Sequence, residues 1–150
     1  KTLCIVTLAN ICCIQAVREV LLVMEDNGDG GLFSIVQVLS SSTVNHMRVQ
    51  AARAVFNLAR DSRGVVIQGK HETPRSQDCA HKLWDLRVMN ICVQNFHDRN
   101  PQVKRLCIGI LAQLAGIPDL RLRFLDPKIN IVQRLVLVAY QDAKIAIVQE

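Results

Sequence analysis

MRVQAARAVFNLAR, residues Met47–Arg60, is the stretch from which the fold of this chain is read. Three alanines, Ala51, Ala52 and Ala54, give it strong helix propensity, and neither Gly nor Pro interrupts it. Met47, Ala51, Ala54, Val55 and Leu58 recur at the steps of an amphipathic helix and form one apolar stripe. Arg53, Asn57 and Arg60, spaced by four and three, share a different face. Asp61, Ser62 and Gly64 supply a stop signal.

The same pattern occurs in two other places. With Asn57 as reference, Asn10 and Gln113 occupy the equivalent position. Six residues earlier stand Cys4, Ala51 and Cys107, all small; two earlier stand Leu8, Val55 and Leu111. One residue later come Ile11, Leu58 and Leu114, and two later Cys12, Ala59 and Ala115. Agreement in size and polarity over five columns argues for a repeated helix, and the small column predicts close approach of neighbouring helices. The reference positions are 47 and 56 residues apart. Units of that length cannot bury their apolar faces singly and must stack.

Reading outward, the chain predicts helices over Thr2–Ile14, Val17–Met24, Leu32–Leu39, Met47–Arg60, a short one over Val65–Gln68, Leu83–Phe96, Pro101–Ala115, Leu120–Leu125 and Ile129–Tyr140. Ala143–Gln149 reads as the beginning of a further copy. Glu25 to Gly31 and Ser40 to Thr43 read as turns, and Gly69 to Gln77 as a polar loop, with residues 69–82 a candidate regulatory or contact segment. Pro101 suits the first position of its helix. The resulting unit is a long, a short and a medium helix, and residues 1–150 read as one domain of about three repeats plus a partial fourth. Both ends fall inside a unit, so the chain is expected to be part of a longer protein.

The order resembles the armadillo repeat, on Gly30-Gly31-Leu32 before IVQVLSSS, on VQAARAVFNLAR, and on Asn100-Pro101-Gln102-Val103 with QLAG at the two ends of the next copy. HEAT repeats share the layout, but the Gly-Gly turn and the Asn-Leu pair favour armadillo. The resemblance implies an all-α, right-handed α-solenoid of three-helix repeats whose third helices line a concave groove for extended partner segments. It maps the groove positions to Asn10, Asn57 and Gln113, where an amide can give one hydrogen bond to a peptide backbone and take another. Nuclear-import members carry Trp four residues before the Asn; this chain has Val6, Arg53 and Gly109 there, and its single Trp, Trp84, lies elsewhere. Arg53 and Arg60 beside Asn57 therefore point to an acidic or phosphorylated segment. A simply solvated face is the structural alternative for Arg53, Asn57 and Arg60, and Asn10 and Gln113 could equally cap carbonyls of a neighbouring helix. KTL near the start, Cys12-Cys13 and ARAVFNLA are also similar to the armadillo region of cullin ubiquitin-ligase adaptors that carry a BTB domain, which would make the chain a substrate-recruiting segment.

Composition supports a binding scaffold. Half of the residues are hydrophobic but only 4% are aromatic, so the core is aliphatic. A net charge of +5 is a mild bias towards acidic partners, and no aromatic-studded basic run argues for nucleic acid. Six cysteines without a CxxC pair read as mostly buried free thiols of a reducing compartment, which places the chain in the cytoplasm, with the nucleus as a possible additional location. Lys1 followed by TLCIVTLANICC also fits a secretory signal, although Asn10 interrupts it and the repeat columns account for the same residues. No apolar run reaches the ~20 residues of a spanning helix, so membrane insertion is not expected.

Sites of chemistry are weak by comparison. Glu25, Asn27, Asp29 and Gly30 resemble the start of a calcium loop, but the twelfth position is Val36. His71, Cys79 and His81 lack the fourth ligand and the paired spacings of a zinc site. Thr73-Pro74 and Ser76 beside Arg75 offer a modification site. Cys12 with His46, or Cys79 with His81, lacks an orienting motif, and the glycines lack a following Lys-Ser/Thr. The expectation is therefore a non-enzymatic chain without cofactor, metal or small-molecule substrate. It would bind other proteins or peptides through Asn10, Arg53, Asn57, Arg60 and Gln113, or serve as a structural spacer that self-associates or stacks on flanking repeats.

Overall fold

The computed structural model describes residues 2–60 and 75–148, with side chains described over 3–60 and 79–141. Every regular element among them is helical. The order is α1 (Thr2–Ile11), α2 (Gln15–Asp26), α3 (Gly31–Ser41), α4 (Asn45–Arg60), α5 (Arg75–Asp85), α6 (Val88–Gln94), α7 (Pro101–Ala115), α8 (Pro118–Arg121) and α9 (Ile131–Val148). Short 3-10 turns cover Asn95–His97 and Leu122–Leu125.

The opening stretch lies in α4, the centre of the packing. It packs against α1, α7 and α3. Ala51, Ala54, Val55 and Leu58 are fully buried, as are Ala52 and Ala59. The small column is buried: Cys107 of α7 is fully buried like Ala51, and its thiol shares a hydrogen bond with Cys92 of α6. The core is a continuous aliphatic cluster, with Leu32, Ile35, Leu39, Leu58, Leu83, Ile110, Leu111 and Leu114 among its most buried members.

Two glycines set the corner before α3 for different reasons. Gly30 has φ 66°, the left-handed region that costs an ordinary residue about 1–2 kcal/mol. A Cβ on Gly31 would lie 2.8 Å from the Leu21 carbonyl oxygen and 3.0 Å from Met24 Cβ, so its bareness lets α3 start against α2. Glu25 Oε2 accepts a hydrogen bond from the Phe33 N–H at 2.9 Å, satisfying one of the first-turn donors of α3. That is the task of the acidic turn that looked like the start of a calcium loop. Before α7, Asn100 accepts from the Gln102 N–H at 2.9 Å and Pro101 takes the first turn, as the sequence predicts.

Several boundaries differ from expectation. The helix expected over Leu83–Phe96 is broken at Leu86–Arg87, where Arg87 takes φ 59°. Neither Gly nor Pro marks this break, and buried Leu83, Val88, Met89 and Cys92 continue the apolar pattern across it. The stretch thus carries two helices, α5 and α6, ahead of α7. The loop expected to reach Gln77, and the wider 69–82 segment, give way to α5 from Arg75 onward. Val65–Gln68, His71 and Thr73-Pro74 lie outside the described residues. α9 begins at Ile131 and continues through Val148, so no separate helix starts at Ala143.

Buried electrostatics pin the α6–α7 corner to α4. The Arg48 guanidinium pairs with the Asp98 carboxylate and donates to Asn95 Oδ1 at 2.6 Å. Asn95 in turn donates to the Ile91 carbonyl at 2.7 Å, and Asp98 accepts from the Asn100 N–H at 2.8 Å. At the far corner, Arg123 lies over the Trp84 ring at 5.4 Å, and Trp84 meets Phe124 with ring centroids 6.0 Å apart.

Candidate functional site

The face carrying Asn10, Arg53 and Asn57 is built by α1 and α4 together. Asn57 sits half-buried, and its Nδ2 donates to the Ala9 carbonyl at 2.8 Å. Ala9 is in the last turn of α1, where carbonyls lack an intrahelical donor, so Asn57 closes the end of the neighbouring helix. The resemblance implied that this amide both gives and takes a bond with a peptide; one of its two Nδ2 hydrogens is already given to Ala9, which leaves the second N–H and Oδ1. The capping of a neighbouring helix carbonyl, expected as an alternative for Asn10 and Gln113, is made instead by Asn57, while Asn10 Oδ1 accepts from Arg53.

Arg53 is exposed, yet held in place. Its Nη1 donates to Gln50 Oε1 at 3.1 Å and its Nη2 to Asn10 Oδ1 at 3.2 Å. Both acceptors are neutral, and among the described residues no carboxylate pairs with Arg53. Arg60 is exposed in the last turn of α4. Gln113, half-buried on α7, has an Oε1 that is buried without a hydrogen-bond partner. The structure thus ties Asn10, Arg53 and Asn57 into one patch; Gln113 belongs to the next helix and shares no hydrogen bond with that patch.

Phe56 was not among the candidates. A Cβ on Gly109 of α7 would lie 2.9 Å from Phe56 Cε2, so the ring occupies the space that Gly109 leaves open. Gly109 stands in the column where the resemblance places Trp in import members. An aromatic ring therefore fills this place from the neighbouring helix, and the signal for it was a bulky residue next to Asn57 paired with a bare position on the following copy.

The second omission is an arginine column. Arg18 donates to the Cys13 carbonyl at 2.9 Å and to the Cys12 carbonyl at 3.4 Å. Arg121 donates to the Ala115 carbonyl at 3.2 Å and to the Gly116 carbonyl at 3.5 Å. Both arginines follow the Asn10/Gln113 column by eight residues, and the four carbonyls occupy matching positions. The connecting backbones agree as well: Ile14 has φ −86° and ψ 126°, Ile117 φ −89° and ψ 120°. Each cation sits at a helix C-terminus, where carbonyl oxygens and the helix dipole favour positive charge. The equivalent position after Asn57 is Val65, outside the described residues.

A separate cleft of about 370 Å³ lies between α2 and α5, lined by Glu19, Leu22, Val23, Asp26, His81, Lys82 and Asp85. Lys82 bridges it to Asp26 at 2.7 Å, and that hydrogen bond raises the Lys82 ammonium pKa above its usual value.

Among the described residues the six cysteines form no disulfide. Cys12, Cys79, Cys92 and Cys107 are buried, whereas Cys4 and Cys13 are exposed. Burial pushes the Cys12 thiol up to about 11, with Cys13 adding to it and Arg18 opposing, so Cys12 is protonated at neutral pH and a poor nucleophile. Cys92 is raised by its hydrogen bond with Cys107 and by burial. Among the described residues no group of three or more His, Cys, Asp or Glu is placed to hold a metal ion, and no single helix is long and apolar enough to cross a membrane. No protein-family model, curated protein or solved structure matches the chain.

Proposed function

We propose that this chain is a non-enzymatic interaction scaffold of armadillo type, a right-handed α-solenoid whose third helices α1, α4 and α7 line a concave groove. In that groove Arg53 and Arg60 hold an acidic or phosphorylated segment of a partner protein. The observation that carries the reading is the state of Arg53. Its guanidinium is exposed, oriented by two neutral amide oxygens, and opposed by no carboxylate among the described residues. A cation oriented before binding loses less freedom when it meets an anionic group and forms charge-assisted, bidentate bonds there. The order of packing, α1 on α4 on α7, and the arginine caps shared by the first and third copies support the repeat reading behind it.

The test uses a fluorescent peptide rich in Asp and phosphoserine, with its serine/asparagine counterpart as control. Binding should favour the anionic peptide, weaken as salt rises, and drop when Arg53→Glu and Arg60→Glu are combined, while the melting temperature holds. Equal binding of both peptides, or undiminished binding by the reversed variant, overturns it.

A further inference from the structure

The helix pairs α3–α4 and α6–α7 can be matched residue by residue, and at one place the match changes chemistry. On α6, Met89, Cys92, Val93 and Phe96 are buried with the spacing of buried Leu32, Ile35, Val36 and Leu39 on α3. On α7, Cys107 stands where α4 has Ala51. Ile35 and Ala51, on the packed helices α3 and α4, are thus matched by two cysteines on the packed helices α6 and α7. Both cysteines are 0% exposed, and their side chains share a hydrogen bond. Ile35 and Ala51 show that apolar groups meet the packing need at these positions, so burial alone does not call for sulfur. What the two thiols add is the capacity to form a bond across the helix pair.

The surroundings set when that bond can form. Burial and the bond to Cys107 hold the Cys92 thiol protonated, and a thiol is a poor nucleophile. Yet α6 is only seven residues long, with left-handed Arg87 at one end and the 3-10 turn Asn95–His97 at the other. A short helix between two breaks is the kind of element that opens locally while longer helices stay formed.

We propose that Cys92 and Cys107 form a redox latch: a low-molecular-weight disulfide oxidises them to an intramolecular disulfide that ties α6 to α7, and a dithiol reductant opens it again. When α6 parts from α7, one cysteine loses its proton and its sulfur attacks the small disulfide, releasing one small thiol. The other cysteine, as thiolate, then attacks the protein sulfur of the mixed disulfide, forming the S–S bond and releasing the second small thiol. Two protein S–H bonds and one small-molecule S–S bond are exchanged for one protein S–S bond and two small-molecule S–H bonds, so the small disulfide takes up both electrons and both protons. The latch is independent of the groove.

The test uses the full chain with the exposed Cys4 and Cys13 replaced by Ser, equilibrated under native conditions with mixtures of oxidised and reduced glutathione. Remaining thiols are blocked and the digest is mapped by mass spectrometry. As the oxidised fraction rises, two thiols per chain should be lost, the Cys92 and Cys107 peptides should appear joined, and dithiothreitol should separate them. The oxidised form should melt about 6–12 °C higher, the shift expected from closing a loop of about 15 residues. Cys107→Ala, which places there the residue found at the equivalent Ala51, should abolish the joined peptide and the thermal shift together. A different pairing, a glutathione adduct that persists on either cysteine without the intramolecular bond, or thiols unchanged in the most oxidising mixture each overturns the latch. So does equal melting of the two forms, or a thermal shift that survives Cys107→Ala. If Cys107→Ala does not fold, mapping of the protein that retains both cysteines still decides the outcome.

Discussion

Replacing Asn57 distinguishes a structural amide from one reserved for a ligand. Asn57→Ala removes the Nδ2 bond to the Ala9 carbonyl and leaves a partly buried acceptor at the end of α1 without its donor. Loss of such a bond costs about 1–2 kcal/mol. For a chain of this size that lowers the melting temperature by about 2–8 °C, at roughly 2–4 °C per kcal/mol. Asn57→Asp should be worse than Ala at pH 7. Its carboxylate would face a carbonyl oxygen at the negative end of the α1 dipole, and an i−4 pair with Arg53 would return only about 0.3–0.5 kcal/mol. The sign reverses with acid. The introduced carboxyl has its folded pKa raised, so the protonated form, whose O–H can donate to Ala9, is the stabilised one. The relative stability of Asn57→Asp is therefore greatest below the unfolded carboxyl pKa of about 3.9 and is lost as pH rises through the folded value. Denaturant unfolding of the three proteins between acid and neutral pH reads this directly. An Asp variant as stable as wild type at pH 7, or an Ala variant that loses nothing, would refute the assignment of Asn57 as the tie between α1 and α4.

Three other substitutions or probes follow from the packing. Arg48→Ala strands the Asp98 carboxylate, only 7% of whose side chain is exposed, and should cost about 2–3 kcal/mol in chemical unfolding; a double-mutant cycle with Asp98→Ala should recover part of that loss. Gly31→Ala drives a Cβ to 2.8 Å from the Leu21 carbonyl oxygen and should cost about 1–3 kcal/mol, and unchanged stability would show that α2 and α3 are not so closely apposed. Alkylation of the native protein near pH 8, read by mass spectrometry, should modify Cys4 and Cys13 and spare Cys12, Cys79, Cys92 and Cys107; rapid labelling of Cys12 would contradict its burial and its thiol pKa of about 11.

Where the sequence was legible, one local rule was enough. The apolar stripe of Met47–Arg60 placed α4 in the core, Gly30-Gly31 marked the start of α3, and Asn100-Pro101 the start of α7. The break at Arg87 was hidden because apolar spacing continues through it and a left-handed Arg has no compositional signature. The boundary expected between Tyr140 and Ala143 does not exist, because α9 runs through it. The arginine column escaped because the comparison of copies stopped at the helix ends, while Arg18 and Arg121 reach back from the following helix. The candidate site was legible as a polar face, but not in its internal wiring. Spacing shows that Arg53 and Asn57 share a face; it does not show that Asn57 turns its donor onto α1, or that Arg53 is steadied by Asn10.

The proposed groove requires α1, α4 and α7 to be successive, equivalent layers. Cys13, Arg60 and Gly116 occupy one exposed column of the three copies, three residues after Asn10, Asn57 and Gln113. Spin labels placed there pairwise, with Cys4 replaced by Ser, measure the layer spacing in solution. Stacked helices predict about 8–10 Å for the 13–60 and 60–116 steps and close to twice that, about 16–20 Å, for 13–116, with allowance for the label arms. Unequal steps, or a 13–116 distance no longer than either step, would contradict the stack.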